Sequence, residues 1–123
     1  MVFDILETPH LKRLEINGDF SIAEGADRHI SAYNIWVRAG TFNIGSSSNP
    51  FPNKFTITLR GDKTEGYWAF GNNINPGNKN LVVTGTVNFY GKKRSRGSRL
   101  LQNALKGQDE IKVDTHLDWQ AGE

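Results

Sequence analysis

The chain has 123 residues, 13 of them glycine, with an apolar fraction of 37% and a formal net charge of +2. That length holds one modest core rather than two, and the near balance of charge excludes a global electrostatic case for nucleic acid or a membrane surface. There is no cysteine, which rules out disulfides and zinc-thiolate sites; the Gly, Asn, Thr and Ser content favours a turn-rich β protein over a helical bundle.

The opening MVFDILETPH has no charged leader followed by an apolar stretch, and no run is long enough to span a bilayer. Leu11, Leu14, Ile16, Phe20 and Ile22 outline a first strand region, preceded by a Thr8-Pro9 turn and broken midway by Gly18. From Ile30 to Gly45 a second region has Ile35, Val37, Phe42 and Ile44 as inward candidates. Ala39-Gly40 adds one residue there relative to the other copies, which reads as a bulge. SSSNPFPN, residues 46 to 53, is a loop by composition, and Phe55, Ile57 and Leu59 then alternate up to Gly61. The segment 61 to 80 is too irregular for a strand and too rich in Gly and Asn for a helix, with Tyr67, Trp68 and Phe70 as apolar anchors. LVVTGTVNFYG, residues 81 to 91, has the period of two of a half-buried strand, and Gly85 at its centre implies a corner or bulge. After the polar run 92 to 99, LLQNALKG suits one short helical turn, and residues 109 to 113 read as a return to strand.

One phrase, Gly-polar-apolar-polar-apolar, occurs three times: Gly18-Asp19-Phe20-Ser21-Ile22, Gly40-Thr41-Phe42-Asn43-Ile44 and Gly85-Thr86-Val87-Asn88-Phe89. Counting Gly61 as a further marker, the glycines are spaced 22, 21 and 24 residues apart. A repeat of that length with one or two short strands predicts an all-β, parallel β-solenoid or β-helix-like domain with glycine-marked coils. The alternative is an antiparallel β-sandwich, which also joins short alternating strands by Gly and Asn turns.

Thr8-Pro9-His10-Leu11, Gly40-Thr41-Phe42-Asn43-Ile44-Gly45, the Pro50-Phe51 turn, Leu81-Val82-Val83-Thr84-Gly85 and the terminal Trp119-Gln120-Ala121-Gly122-Glu123 together resemble the eight-glycine (G-eight) domain. That domain is found in fibrocystin-like surface proteins and in transmembrane and secreted hyaluronan-depolymerising proteins. The resemblance spans nearly the whole chain and implies one β-rich domain over residues 1 to 123, a fragment of a larger extracellular or cell-surface, including ciliary-surface, protein. It implies neighbouring domains or chains as partners and glycans, hyaluronan among them, as a ligand class. It also assigns structural roles to Gly18, Gly40, Gly45, Gly61, Gly77, Gly85, Gly91 and Gly122. Two departures stand out: Tyr90-Gly91 replaces the family's more usual His-Gly, and a basic run replaces the tryptophan that usually follows. Both weigh against an activity that relied on that histidine.

Lys92, Lys93, Arg94, Arg96 and Arg99 place five cations in eight residues. Such a run suits phosphates, sulfated glycans or carboxylated polysaccharide, and it equally suits a solvated loop or a protease cut site. Nucleic acid is not expected, because no aromatic residue is interleaved with the cations to stack on bases. Tyr67 and Trp68 are candidate sugar-stacking rings, or anchors that hold the long loop down. Asp114, His116 and Asp118 share one side of an extended segment, yet too few ligands accompany them for a metal site to be expected. His10 and His29 read as solvated or hydrogen-bonded residues rather than catalytic ones. No phosphate loop, dinucleotide fingerprint or nucleophile elbow is present, and no cofactor is expected. The leading expectation is a non-catalytic extracellular interaction module. The alternative is a piece of a polysaccharide depolymerase using Asp62, Asp114, His116 or Asp118 as paired acids.

Overall fold

The computed structural model describes residues 1–62 and 75–120. Two compact units are present, Met1–Lys92 and Lys93–Glu123. The described residues of the first unit hold eight strands: β1 (Val2–Phe3), β2 (Leu11–Ile16), β3 (Asp19–Ile22), β4 (Arg28–Val37), β5 (Thr41–Ile44), β6 (Phe55–Leu59), β7 (Asn80–Val83) and β8 (Thr86–Phe89). They form two sheets, β1-β3-β5-β8 and β2-β4-β6 with β7 also on β4. Every pairing within these sheets is parallel. No barrel closes, and the antiparallel sandwich is set aside.

Parallel pairing in fixed register stacks like on like. Leu14, Ile35 and Leu81 form one column, and Ile16, Val37 and Val83 the next. In the other sheet the columns are Phe20, Phe42 and Val87, then Ser21, Asn43 and Asn88. The apolar columns meet between the sheets in a core built from Phe3, Ile16, Phe20, Ile22, Ile30, Ala32, Ile35, Val37, Phe42, Ile44 and Phe51. Phe42 is its centre, fully buried, with ring centroids 5.2 Å from Phe20 and 4.9 Å from Phe89, both edge-on. Edge-to-face rings place the positive ring edge against the negative face of the neighbour. The Asn column is tied by Asn88 Nδ2 donating to Asn43 Oδ1 at 2.9 Å.

The three repeated phrases mark where the chain turns from one sheet into the other. Residue 39 to 40 is therefore a corner and not a bulge: Gly18 separates β2 from β3, Gly40 separates β4 from β5, and Gly85 separates β7 from β8. These corners lie on top of one another. A Cβ at Gly40 would sit 2.1 Å from the Gly18 carbonyl oxygen, and one at Gly85 would sit 2.4 Å from that of Gly40. LVVTGTVNFYG is thus two strands in two sheets, with Leu81 and Val87 packed against the core and Val83 and Phe89 still over 40% exposed, at 41% and 44%.

Gly61 is not a corner. Gly85 stacks directly on Gly40, so the third level takes up roughly twice the interval seen between Gly18 and Gly40. The reason lies in β4, whose Arg28–Ala32 half pairs with β6 and whose Asn34–Val37 half pairs with β7. The chain leaves this level after Leu59 and rejoins it at Asn80. Between the halves the inward parity shifts by one, from Ile30 and Ala32 to Ile35 and Val37, which places a bend at Tyr33-Asn34. Asn34 is fully buried there, and its Oδ1 accepts the Asn80 amide at 3.1 Å, catching the returning strand.

Phe51, which lies outside the strands, joins the core, and Arg28, the first residue of β4, is also buried. Phe51, within the SSSNPFPN loop, is 4% exposed because Gly45, at φ +63°, turns the chain so that the Phe51 amide reaches the Tyr90 carbonyl at 2.7 Å. Among the described residues Arg28 donates to main-chain carbonyls, those of Ala23 (2.7 Å), Glu24 (3.4 Å) and Asp4. In the second unit no helix forms at LLQNALKG, and the strand expected at 109 to 113 is reduced to one antiparallel bridge, Leu100 with Val113.

Gly40→Ala and Gly85→Ala should each destabilise the first unit by about 3 kcal/mol, the upper range for overpacking, because the clashing atoms are backbone and cannot rotate away. Gly91, with nothing within 4 Å of an added Cβ, should tolerate alanine. Phe42→Ala should cost about 3–5 kcal/mol. Denaturant melts of the four variants check the ranking, and a Gly40→Ala protein as stable as Gly91→Ala would refute the stacked corners.

Candidate functional site

The basic run begins at the end of the first unit with Lys92, which is exposed, and continues in the second. There it forms one arm of an irregular hairpin whose other arm is residues 112 to 119. Asp118 Oδ1 accepts the Ser95 amide at 2.7 Å, and the Trp119 indole donates to the Ser95 carbonyl at 2.7 Å. Asp114 Oδ1 accepts the Ser98 hydroxyl at 2.6 Å and the Arg99 amide at 3.2 Å. The Asp114 amide returns a bond to the Arg99 carbonyl at 3.0 Å, and the Leu101 amide donates to Lys112 at 2.9 Å. Lys93, Arg96 and Arg99 are exposed, whereas Arg94 is half-buried.

The carboxylates that the sequence offers as an acid pair are therefore engaged in holding the basic arm. The Ser98 hydroxyl, then the Arg99 amide, lower the Asp114 carboxyl below its ordinary value. For Asp118 the Ser95 amide has the largest effect, with Arg94 adding a smaller Coulombic one. A general acid needs the opposite shift, upward. Asp62 lies in the first unit, where its carbonyl accepts Asn78 Nδ2 at 2.6 Å. Among the described residues no three His, Asp or Glu side chains converge in a way that could hold a metal ion.

Both lone histidines of the first unit are hydrogen-bonded. His29 is in β4 rather than a turn; its Nδ1 is 2.9 Å from Glu7 Oε1 and its Nε2 2.8 Å from Thr58 Oγ1. The neighbouring cavity of about 340 Å³ is lined by Glu7, His29 and Thr56 among others. His10 Nδ1 is 3.2 Å from Ser31 Oγ, and its ring packs on Tyr33 at 4.7 Å.

Sequence reading misses a cluster on the outer face of β2, β4 and β7. Trp36 is 7% exposed because the guanidinium groups of Arg13 and Arg38 lie over its ring at 5.1 and 5.2 Å. Glu15 joins the two arginines at 2.6 and 3.1 Å, and the indole donates to Thr84 Oγ1 at 3.0 Å. A ring so covered is no sugar platform. The signal was present as Arg13, Glu15, Trp36 and Arg38, but only the register brings them together. Tyr67, Trp68, Phe70 and Gly122 lie outside the described residues. Gly77 adopts φ +79°, and a Cβ at Gly91 would meet open space.

Parallel strands stacked over corner glycines, followed by a carboxylate-braced basic hairpin, define a β-rich domain. The G8 domain profile matches residues 1–102, and the chain belongs to that family. Fibrocystin-L of Mus musculus is 34% identical over 95 residues, covering 76% of this chain and 2% of that protein. Fibrocystin-L of Homo sapiens is 30% identical over 129 residues, covering 96% of this chain and 3% of that protein. The chain thus spans a few hundredths of the length of these relatives. No solved structure matches it.

Because both aspartates have lowered folded-state values, their contribution to the hairpin is present above the ordinary value of 3.8 and is lost as the pH falls through the lowered ones. The Ser95 and Arg99 amide resonances should therefore titrate with midpoints below 3.8, and Asp118→Asn should abolish the Ser95 titration. A midpoint above that value would mean that the carboxylates are not held by these amides.

Proposed function

We propose that the chain is a non-catalytic, β-solenoid module of a larger extracellular or cell-surface protein, and that its basic hairpin contacts anionic glycans. The observation that carries this reading is the use of Asp114 and Asp118 as braces. They fix the backbone at Ser95 and Arg99 and leave the Lys93, Arg96 and Arg99 side chains in solvent. A backbone fixed beforehand reduces the ordering cost of binding, and guanidinium forks match carboxylate and sulfate oxygens. The family supports the extracellular setting, and the same-sense stacking of corners supports the solenoid.

Replacing Lys93, Arg96 and Arg99 together by alanine should weaken retention on heparin and on hyaluronan by at least tenfold at low salt, roughly the effect of losing 1.4 kcal/mol, with little change in thermal stability. Retention by the unaltered chain should fall steeply with added salt. Unchanged retention by the triple variant would refute the glycan contact. Shortening of high-molecular-weight hyaluronan, lost on His116→Ala or Asp118→Ala, would instead establish the depolymerase reading.

The solenoid reading also has a test in the first unit. Beyond β8 the last level leaves Val83, Phe89 and Tyr90 exposed, beside an open cavity of about 440 Å³ lined by Ile44, Phe51, Phe55, Ile57 and Phe89. Uncovered strand edges recruit further strands. The isolated chain should self-associate with rising concentration in sedimentation experiments; a monomer of high stability at every concentration would count against an open-ended stack.

A further inference from the structure

We propose that the Arg96–Gly97 peptide bond is a cleavage site for an arginine-specific serine protease. Proteases of this class hold the residue before the cut in a pocket with a carboxylate at its base, and they need the backbone around the bond free to enter the cleft. Within the second unit the hairpin distinguishes its three arginines sharply. Arg99 is pinned through both its amide and its carbonyl to Asp114, and the next residue, Leu100, is bridged to Val113. The bond after Arg94 has as its nitrogen the Ser95 amide, which Asp118 holds at 2.7 Å, and Arg94 itself is half-buried.

Arg96 and Gly97 differ from both. They are exposed, neither makes a hydrogen bond among the described residues, and an added Cβ at Gly97 would meet nothing within 4 Å. The free pair is stretched between two anchors, Ser95 on one side and Ser98-Arg99 on the other. An exposed loop tip of small and charged residues is where nicking concentrates. Lys93 and Arg94 stand three and two residues ahead of Arg96 and give a protease with acidic outer subsites further cations to engage.

The chemistry is hydrolysis. The C–N bond between Arg96 and Gly97 breaks as water adds: the hydroxyl goes to the carbonyl carbon, which leaves as the Arg96 carboxylate, and the nitrogen takes the protons and becomes the Gly97 ammonium. The cut divides the basic run covalently, with Lys92, Lys93, Arg94 and Arg96 on one product and Arg99 on the other. The consequence that glycan affinity drops on cutting rests on the glycan reading; the cut itself does not.

The test is limited digestion of the full 123-residue chain with a trace of an arginine-specific serine protease, followed by intact-mass analysis. The first products should be residues 1–96 and 97–123. Arg96→Gln, at an exposed position, should slow the first cut at least tenfold while leaving the circular dichroism spectrum unchanged. Asp118→Asn, which frees the Ser95 amide, should let cutting spread to Arg94. A first cut at Arg13, Arg38 or Arg60, or an Arg96→Gln chain cut in the basic run as fast as the original, would overturn the proposal. Heparin retention of the uncut triple alanine variant tests the glycan contact separately: a clean first cut after Arg96 in the original chain, with unchanged retention by that variant, leaves the cleavage site standing and removes the glycan contact.

Discussion

Where the chain passes from one sheet to the other, it crosses over itself so closely that only a hydrogen fits at the α-carbon. The Gly40 corner rests on the carbonyl of Gly18, and the Gly85 corner rests on that of Gly40. The approach is sealed by backbone bonds, Thr41 to Gly18 at 3.3 Å and Thr86 to Gly40 at 2.9 Å. A corner of this kind fixes register on both sides at once. Because side chains alternate with a period of two, a slip of one residue would send Phe42 outward and Asn43 inward. With the corners aligned, Phe20, Phe42 and Val87 have no choice but to stack, and Asn43 and Asn88 meet as donor and acceptor. The core follows from the glycines more than the glycines follow from the core.

The same constraint explains why the third level tolerates the long interval of sequence between β6 and β7. Register is set at the corner, so what happens upstream of Asn80 matters only if the chain returns on time. The bend in β4 supplies the place of return. Asn34, buried and with one hydrogen-bonding face spent on Asn80, is a costly residue in an apolar interior; its Nδ2 finds no partner among the described residues. The expense is tolerable because without an acceptor there, the first amide of β7 would have nothing to dock on.

How much of this was legible depends on whether the information was local. The three phrases from Gly18, Gly40 and Gly85 give strand period and inward faces, since each needs only neighbouring residues, whereas the Ala39-Gly40 step reads as a bulge until the stacking of backbone on backbone shows a corner. What failed was counting. Gly61 sits at the expected distance and resembles a fourth marker, yet nothing local distinguishes a glycine that ends a strand before a detour from one that must pass over another backbone. Phe51 was hidden for a similar reason, because a Pro-flanked phenylalanine in a Ser and Asn run looks like loop until Gly45 turns it inward. The Trp36 cluster was invisible because Arg13 and Trp36 are brought side by side only by the β2 to β4 register. Leu105 misled in the opposite direction: LLQNALKG has helical composition, but its leucines stay exposed, and a single turn with no apolar surface to cover has little to stabilise it.

The basic hairpin shows why residue types alone mislead about chemistry. Asp-Thr-His-Leu-Asp looks like an acid pair with a histidine between, and five cations nearby look like a binding patch. These are one feature. Five like charges in eight residues repel one another, and an arm of that composition stays ordered only if something of opposite sign holds it. Asp118 and Asp114 do so at the backbone of Ser95 and Arg99, and Arg94 adds a Coulombic contribution at Asp118. The Ser98 hydroxyl and the Ser95 amide lower the two carboxyls, the reverse of the upward shift that suits a general acid, so residues whose types suggest catalysis serve here to hold the backbone of the loop.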